Sequence, residues 1–376
     1  MRTRNVVILG ATGSIGRSAR KVAQDIPDRM RIVGMSAHAN RDELAAASRD
    51  FPHARTAISS DPDGEARLVE LATLPEADMV LIAIVGTAGL KPALAAIEAG
   101  KDLAIASKEI LVMAGAIVME AAARKGVQIL PVDSEHNAIF QCLEGRAPSG
   151  VRRLILTCSG GPFRTLPEEA FGDITPARAL RHPTWSMGRK ISIDSATLFN
   201  KGLEMIEAHW LFGLPMSQVD VIIHPQSIVH SMVEFIDGSV LAQLSRSDMC
   251  FPIHYAVTWP ERIPNSLTPL DFTTLGKLDF EAPREHCFPA LRLAREAGTR
   301  GGTLPAVLNA ANEVAVAAFL DERISFPEIW GLVERVMQTH EFSSDPSLDD
   351  LIAADQSARS AVEDLVSGRK PALPTL

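Results

Sequence analysis

With 376 residues, 46% of them apolar and 22% charged, the chain has material for two or three hydrophobic cores and is excluded as a mainly disordered protein. Its 37 basic against 46 acidic residues give a net charge of −9, the wrong sign for a binder of nucleic acid or of an anionic membrane. Cys142, Cys158, Cys250 and Cys287 form no Cys-x-x-Cys pair and no apolar run approaches the roughly 20 residues that cross a bilayer, so a reducing, cytoplasmic setting is expected.

The residues from Met1 to Asn5 lead directly into Val6-Val7-Ile8-Leu9, which reads as a buried strand and is expected to leave no room for a signal peptide. Ile15, Ala19, Val22, Ala23 and Ile26 then fall at helical spacing. Strand-like runs recur at 31–35, 79–84, 101–105 and 127–130, with an Ala-rich helix from Glu109 to about Lys125 between the last two. Alternation of this kind predicts a parallel sheet covered on both faces. A strand at 153–157 follows, then two extended runs between Val219 and Leu244 that flank the turn signal Ile236-Asp237-Gly238. Four prolines between 260 and 285 suggest a linker. Helices are expected over 290–297, 304–320, 327–339 and 348–365, with Pro305 and Pro327 near helix starts. The fold class is therefore α/β: an N-terminal doubly wound, Rossmann-like domain (1–132), a middle α+β domain with an antiparallel hairpin (133–259), a linker (260–288) and a C-terminal helical bundle (289–376).

Four segments carry residue types suited to chemistry. Gly10-Ala-Thr-Gly13-Ser-Ile-Gly16 closes the first strand and opens a helix, where bare backbone and the helix dipole favour a pyrophosphate; a ligand-free tight turn is the bland alternative. The stretch after the second strand, Ser36-Ala-His38-Ala-Asn40-Arg41, lacks the acid that grips the ribose of NAD, and this favours the extra phosphate of NADP unless Arg41 only starts the next helix. In Pro131-Val-Asp133-Ser134-Glu135-His136, alternate residues of an extended segment would aim two carboxylates at one point, suiting Mg²⁺ or Mn²⁺; a solvated acidic turn is equally open. The run from His182 to Glu204 crowds together Trp185, Ser186, Met187, Gly188, Arg189, Lys190, Asp194, Ser195, Asn200 and Lys201. The spacing of Leu203, Ile206, Trp210 and Leu211 starts a helix near Lys201, which places Ser195, Asn200 and Lys201 at a helix N-terminus fit for a phosphate. Taken singly, each has a dull reading as a cap, core or wet-face residue. Thr157-Cys158-Ser159-Gly-Gly forms a possible anion loop, and Cys158 invites a rival reading as the nucleophile of a semialdehyde dehydrogenase, or more simply as an inert buried thiol. His209, His224, His230 and His254 read as structural histidines. A non-enzymatic NADP-binding sensor is a further alternative, in which three metal-type acids would have no purpose.

Together these segments resemble the 1-deoxy-D-xylulose 5-phosphate reductoisomerase family. GATGSIG, ASKE, PVDSEHNAIFQCL, SGGPFR, HPTWSMGRKISIDSATLFNKGLEMIEA, HPQSIVHSMVEFIDGS and NAANE occur in the family's order along nearly the whole chain. The resemblance implies conversion of 1-deoxy-D-xylulose 5-phosphate to 2-C-methyl-D-erythritol 4-phosphate, with NADPH and a divalent metal. It implies Asp133, Glu135 and Glu204 as metal carboxylates, and Lys108, Ser134, Glu135, Ser159, His182, Ser195, Asn200, Lys201 and Glu204 as substrate or catalytic residues. Thr12, Gly13, Ser14 and Ile15 would hold the cofactor pyrophosphate, with His38, Ala39, Asn40, Ser107 and Glu109 as further cofactor positions. Trp185 and Met187 would belong to a flap, with Gly188 beside the nicotinamide, and the enzyme would be a homodimer. Two positions depart from the family's pattern: Ser107 replaces the usual Asn, and Ala39 stands where a basic residue is common. Asn309, Asn312 and Glu313 match a family motif and are read as packing or capping residues.

Overall fold

The computed structural model describes residues 3–146, 148–182, 185 and 187–368. Six strands rich in Val, Ile and Leu form a parallel sheet: β1 (Arg4–Leu9), β2 (Met30–Ala37), β3 (Arg55–Ile58), β4 (Met79–Ile82), β5 (Asp102–Ile105) and β6 (Ile129–Pro131). Their order is β3-β2-β1-β4-β5-β6. The order reverses beside β1, so the carboxyl ends of β1 and β4 border the crevice where open α/β sheets take ligands. Helices pack against both faces, and β4 is buried along its whole length, as a continuous apolar run demands. The strand β3 and the helix Gly64–Ala72 behind it are additions to the sequence reading. Only Ala57 and Ile58 of β3 face the core, too little apolar pattern to stand out.

A second sheet of order β10-β9-β7-β8 comprises β7 (Val151–Cys158), β8 (Val219–Ile223), β9 (Val229–Phe235) and β10 (Val240–Leu244). The expected hairpin is β9–β10, turning at Gly238 with φ +85°. The stretch read as one extended run before it is two strands. They separate at His224–Ile228, where Ser227 has φ +52° and β8 pairs with β7 instead, in parallel. The segment read as linker contains a short helix, Phe272–Leu275, and Glu281 bridges to Ile223.

Helices Ala290–Arg300, Leu304–Leu320, Glu328–Thr339 and Leu348–Val366 complete the chain. Their buried faces share one core with the second sheet: Leu154 and Leu156 of β7 belong to the same apolar cluster as Leu291, Val307 and Phe326. Among the described residues no helix is long and apolar enough to cross a membrane.

Candidate active site

Two glycines of the first loop are required by packing. Gly10 has φ +98° and a Cβ there would lie 2.5 Å from the Ala83 carbonyl oxygen, while a Cβ on Gly16 would lie 2.3 Å from that of Gly10. Gly13 is different: its φ is negative and the nearest atom to an added Cβ is 3.4 Å away, so the fold does not demand glycine. A bare backbone at that point leaves room for a close-lying ligand. Gly13 caps the helix Ser14–Asp25 with no side chain over its first N–H groups, and the strand before it is β1 at the crevice. Thr12, Ser14 and Ile15 flank it.

Beyond β2, His38 meets Ser59 at 3.0 Å and Ala39 is exposed. Asn40 caps the helix Arg41–Asp50 by accepting from the Glu43 N–H at 3.2 Å. No carboxylate ends β2: Glu43 is taken up by Arg17 at 2.7 Å and by Arg20 at 3.2 Å. Arg41 pairs with Asp61 and remains largely exposed.

The acids meet across the crevice. Asp133 follows β6 as the N-cap of the helix Ser134–Leu143, and Glu135 lies in that helix's first turn. Their convergence therefore comes from a helix start, where backbone turns, and not from strand alternation as the sequence reading had it. The helix Phe199–Phe212 crosses opposite and brings Asn200, Lys201 and Glu204. Lys108 Nζ sits 2.5 Å from Asp133 Oδ2, 3.0 Å from Glu204 Oε1 and 3.0 Å from Asn200 Oδ1. Lys201 Nζ lies 2.9 Å from Glu135 Oε1 and also contacts Glu204 Oε2, and the Asn200 amide donates to Glu204. Ser134 Oγ donates to Glu135 Oε2 at 2.5 Å. Ser195 departs from expectation in one respect: it lies near the end of a separate helix, Arg189–Thr197, not at the start of the one that follows. Between the two, Leu198 is buried with φ +66°, a strained conformation for a branched residue and a sign that the join is over-determined by its surroundings.

The electrostatics follow from burial. Desolvation acts to neutralise Lys108, but Asp133, Glu204 and Glu207 hold its pKa well above the ordinary lysine value. Burial would likewise raise the Asp133 carboxyl, yet the Lys108 ammonium and then His136 and Lys201 hold it well below the usual carboxylate range. Glu135 goes the other way: burial pushes it up to about 8, against Lys201 and with Glu204 and Asp133 adding repulsion. Glu135 is thus the acid of this group with too little positive charge around it. The hard oxygens of Asp133, Glu135 and Glu204 suit Mg²⁺ or Mn²⁺, and a further cation there would favour the ionised form of Glu135.

Asp133, His136 and Glu204 offer ligand atoms that all lie within 4.8 Å of one another. His136 Nε2, however, is 2.9 Å from the Glu204 backbone oxygen and Nδ1 faces Glu207 at 3.4 Å, so the ring braces the helix that carries Glu204. Glu207 is fully buried and desolvation pushes it up to about 7. The sequence alone gives neither residue a role. Their spacing, each three residues after an acid of the cluster, was the available signal.

A second pocket adjoins the cluster. Ser159 Oγ is 2.9 Å from His182 Nε2, which is 3.1 Å from Ser195 Oγ. The Trp185 N–H donates to His182 Nδ1 at 2.9 Å, so the proton of the neutral ring sits on Nε2. Burial lowers the His182 pKa and keeps it neutral. Gly160 and Gly161 both have positive φ, and a Cβ on Gly161 would lie 2.7 Å from the Ser195 carbonyl oxygen. Pro183, Thr184 and Ser186 lie outside the described residues, while Trp185 and Met187, expected in a flap, are part-buried and Gly188 caps the helix Arg189–Thr197. Ser107 Oγ donates to the Ile84 carbonyl, and Glu109 faces Lys190 at 3.3 Å. Burial pushes the Cys158 thiol up to about 11, which leaves it protonated near neutrality and unsuited to the nucleophile role. His209, His224 and His230 each meet a backbone carbonyl oxygen, as structural histidines do.

Three family models match the chain. That for 1-deoxy-D-xylulose 5-phosphate reductoisomerase matches residues 6–64 and 54–115, that for its C-terminal domain residues 129–212, and that for the DXP reductoisomerase C-terminal domain residues 244–361. A protein of Pseudomonas putida named 1-deoxy-D-xylulose 5-phosphate reductoisomerase is 50% identical over 95% of this chain and 96% of its own length. One of the same name from Pelotomaculum thermopropionicum is 50% identical over 95% and 97%. Among solved structures, the Zymomonas mobilis 1-deoxy-D-xylulose 5-phosphate reductoisomerase in complex with NADPH has a TM-score of 0.91 at 44% identity, covering 97% of this chain and 99% of that one. A DOX-P reductoisomerase in complex with NADPH, fosmidomycin and magnesium has a TM-score of 0.90 at 40% identity, covering 97% and 98%.

Proposed function

Because the chain belongs to the 1-deoxy-D-xylulose 5-phosphate reductoisomerase family, we propose that the acid cluster, the His182 pocket and the glycine loop are the three working parts of its active site. The enzyme converts 1-deoxy-D-xylulose 5-phosphate to 2-C-methyl-D-erythritol 4-phosphate in the non-mevalonate isoprenoid pathway, using NADPH and a divalent metal. The residue assignment is supported by shared partners: Lys108 contacts both Asp133 and Glu204, and Lys201 contacts both Glu135 and Glu204.

Asp133, Glu135 and Glu204 would hold the divalent metal, which would supply positive charge to the substrate oxygens during a retro-aldol and aldol rearrangement, and the glycine loop would hold NADPH, which would supply the hydride for the aldehyde. Lys108 adds a fixed ammonium beside the reacting hydroxyls, its charge secured by Asp133 and Glu204. Ser134 orients the Glu135 carboxylate. Ser159, the His182 Nε2–H, Ser195, Asn200 and Lys201 bind the substrate phosphate, remote from the bonds that change, so that its binding energy positions the sugar. The segment around Trp185 and Met187 closes over the site and excludes water from the aldehyde. Thr12, Gly13, Ser14 and Ile15 bind the cofactor pyrophosphate, and His38, Ala39 and Asn40 line its adenosine end. Ser107, Glu109 and Gly188 border the nicotinamide end. The absence of a carboxylate at the end of β2 supports preference for NADPH over NADH.

We place the protein in the cytoplasm, in keeping with four free thiols. Its partner is a second copy of the same chain. The hairpin strand β10 forms an edge of the second sheet and exposes Val240 and Leu241, with Ile236 beside them, an unpaired row suited to continuing the sheet into another subunit. The boundaries 1–132, 133–259, 260–288 and 289–376 are the proposed division of labour. Consumption of NADPH with 1-deoxy-D-xylulose 5-phosphate and Mn²⁺, followed with and without a chelator, tests the assignment. Chelator-insensitive turnover would remove the acid cluster from it, and a monomer in sedimentation would remove the dimer.

A further inference from the structure

One of the C-terminal helices reaches the residues described above through buried polar contacts. Asn312 on the helix Leu304–Leu320 is fully buried, and its Nδ2 donates to Asp194 Oδ1 at 2.8 Å. The other oxygen of Asp194 faces Lys190 Nζ at 2.8 Å, and the same ammonium lies 3.3 Å from Glu109 Oε1. Lys190 and Asp194 stand one turn apart on the helix Arg189–Thr197, which begins at Gly188 and carries Ser195. Glu109 opens the helix directly after Lys108. One line of polar contacts therefore joins the C-terminal helices to the phosphate pocket and to the element that presents Lys108. Asn312 is itself held from behind, since its neighbour Glu313 pairs with Arg359 of the last helix at 2.7 Å and accepts from Asn309 at 3.1 Å.

Each member of this line is costly to leave unpaired. Asp194 is buried and both of its oxygens are used. Burial acts to discharge Lys190, but Asp194, Glu109 and Glu313 keep its pKa above the ordinary lysine value. A buried carboxylate that loses one of two partners must shift or admit water to recover it. In the seating of the helix Arg189–Thr197 that satisfies Asn312, Lys190 and Glu109 together, Ser195 Oγ is 3.1 Å from His182.

We propose that Asn312 is a positioning residue: acting through Asp194 and Lys190, it sets where the helix Arg189–Thr197 sits and so places Ser195 and His182 for the substrate phosphate. The inference rests on the assignment of the His182 pocket to that phosphate. In full-length enzyme with metal and NADPH, Asn312→Ala raises KM for 1-deoxy-D-xylulose 5-phosphate by about tenfold, because a small displacement of binding groups is enough, while kcat and KM for NADPH change by less than about threefold. Asn312→Asp sets a second carboxylate against Asp194 and raises the same KM further. Adding Asp194→Asn to it restores a donor–acceptor pair with the roles exchanged and brings KM back toward the wild-type value. Arg323→Ala, which breaks an exposed ion pair with Glu363 on the same helical unit, leaves KM unchanged. In ligand-free protein, amide exchange of residues 189–197 is faster in Asn312→Ala than in wild type or Arg323→Ala. Lowered thermal stability with unchanged KM and unchanged exchange would reduce Asn312 to a packing residue and overturn the proposal, as would a double variant no better than Asn312→Asp alone. A wild-type protein that does not turn over the substrate would instead refute the functional reading, and the exchange comparison would still decide whether Asn312 positions this helix.

Discussion

Replacing Glu204 by Gln keeps the shape of the side chain and removes its charge, and the structure separates the consequences for folding from those for metal binding. Glu204 Oε1 is 3.0 Å from Lys108, Oε2 contacts Lys201, and Asn200 also donates to the carboxylate. Each ammonium keeps another acid, Asp133 for Lys108 and Glu135 for Lys201. No buried cation is stranded, and the weakened hydrogen bonds cost about 2–3 kcal/mol. That is a modest share of the ~5–15 kcal/mol of a typical fold and lowers Tm by several degrees. For a bound dication the loss is larger. A unit charge pair about 4 Å apart in an effective dielectric of about 20 is worth about 4 kcal/mol, on the order of a thousandfold in affinity for each unit of cation charge. Glu204→Gln should therefore melt cooperatively a few degrees below wild type, bind Mn²⁺ at least about a thousandfold more weakly by calorimetry, and consume NADPH at a small fraction of the normal rate at any practical Mg²⁺ concentration. Unchanged Mn²⁺ affinity with turnover within about tenfold of wild type at high Mg²⁺ would refute the geometric argument, because a buried ligand cannot be lost at so small a cost.

Three further outcomes are expected. Arg41→Ala should raise KM for NADPH about fivefold, in line with the ~1 kcal/mol of an exposed charge contact, and leave KM for NADH unchanged; an equal effect on both would mean that Arg41 serves only its pair with Asp61. Burial lowers His230 from 6.5 to about 4, so the unfolded chain binds its proton first; this contribution to stability is complete above pH 6.5 and is lost as pH falls toward 4, by up to about 3 kcal/mol. Urea midpoints measured across that window should flatten in His230→Gln, and an identical slope in the variant would assign the acid sensitivity elsewhere. Cys158, with its thiol at about 11, should resist alkylation near neutral pH, and fast inactivation by iodoacetamide at that cysteine would contradict that raised pKa.

Much of the architecture was legible because local pattern and tertiary demand agree. Val6-Val7-Ile8-Leu9 is apolar on both faces and can satisfy itself only inside a covered parallel sheet, and the glycine loop behind it needs no partner to declare a tight strand-to-helix turn. The strand at 55–58 escaped for the opposite reason: at an edge, two of its four residues face solvent and leave no period to read. The residue types of the site were legible too, since acids, lysines and serines packed into short stretches are hard to explain as surface. Their grouping was not. That Lys108 stands between Asp133 and Glu204, or that the His182 ring serves both Ser159 and Ser195, depends on three segments far apart in the chain.

What the sequence determined by itself was each segment's local fate and chemical inventory: strand or helix from the period of its apolar residues, hard-oxygen donors from its acids, phosphate-binding groups from its serines, asparagine and lysines. What only the tertiary structure decided was distance and burial. Asp133 and Glu135 converge because a helix begins at Ser134, His136 and Glu207 matter because they are sealed behind Glu204, and Asn312 meets Asp194 because the C-terminal helices share a core with the second sheet. A charge acquires its energetic weight from the dielectric and the partners around it, and neither is a property of the residue or of its neighbours along the chain.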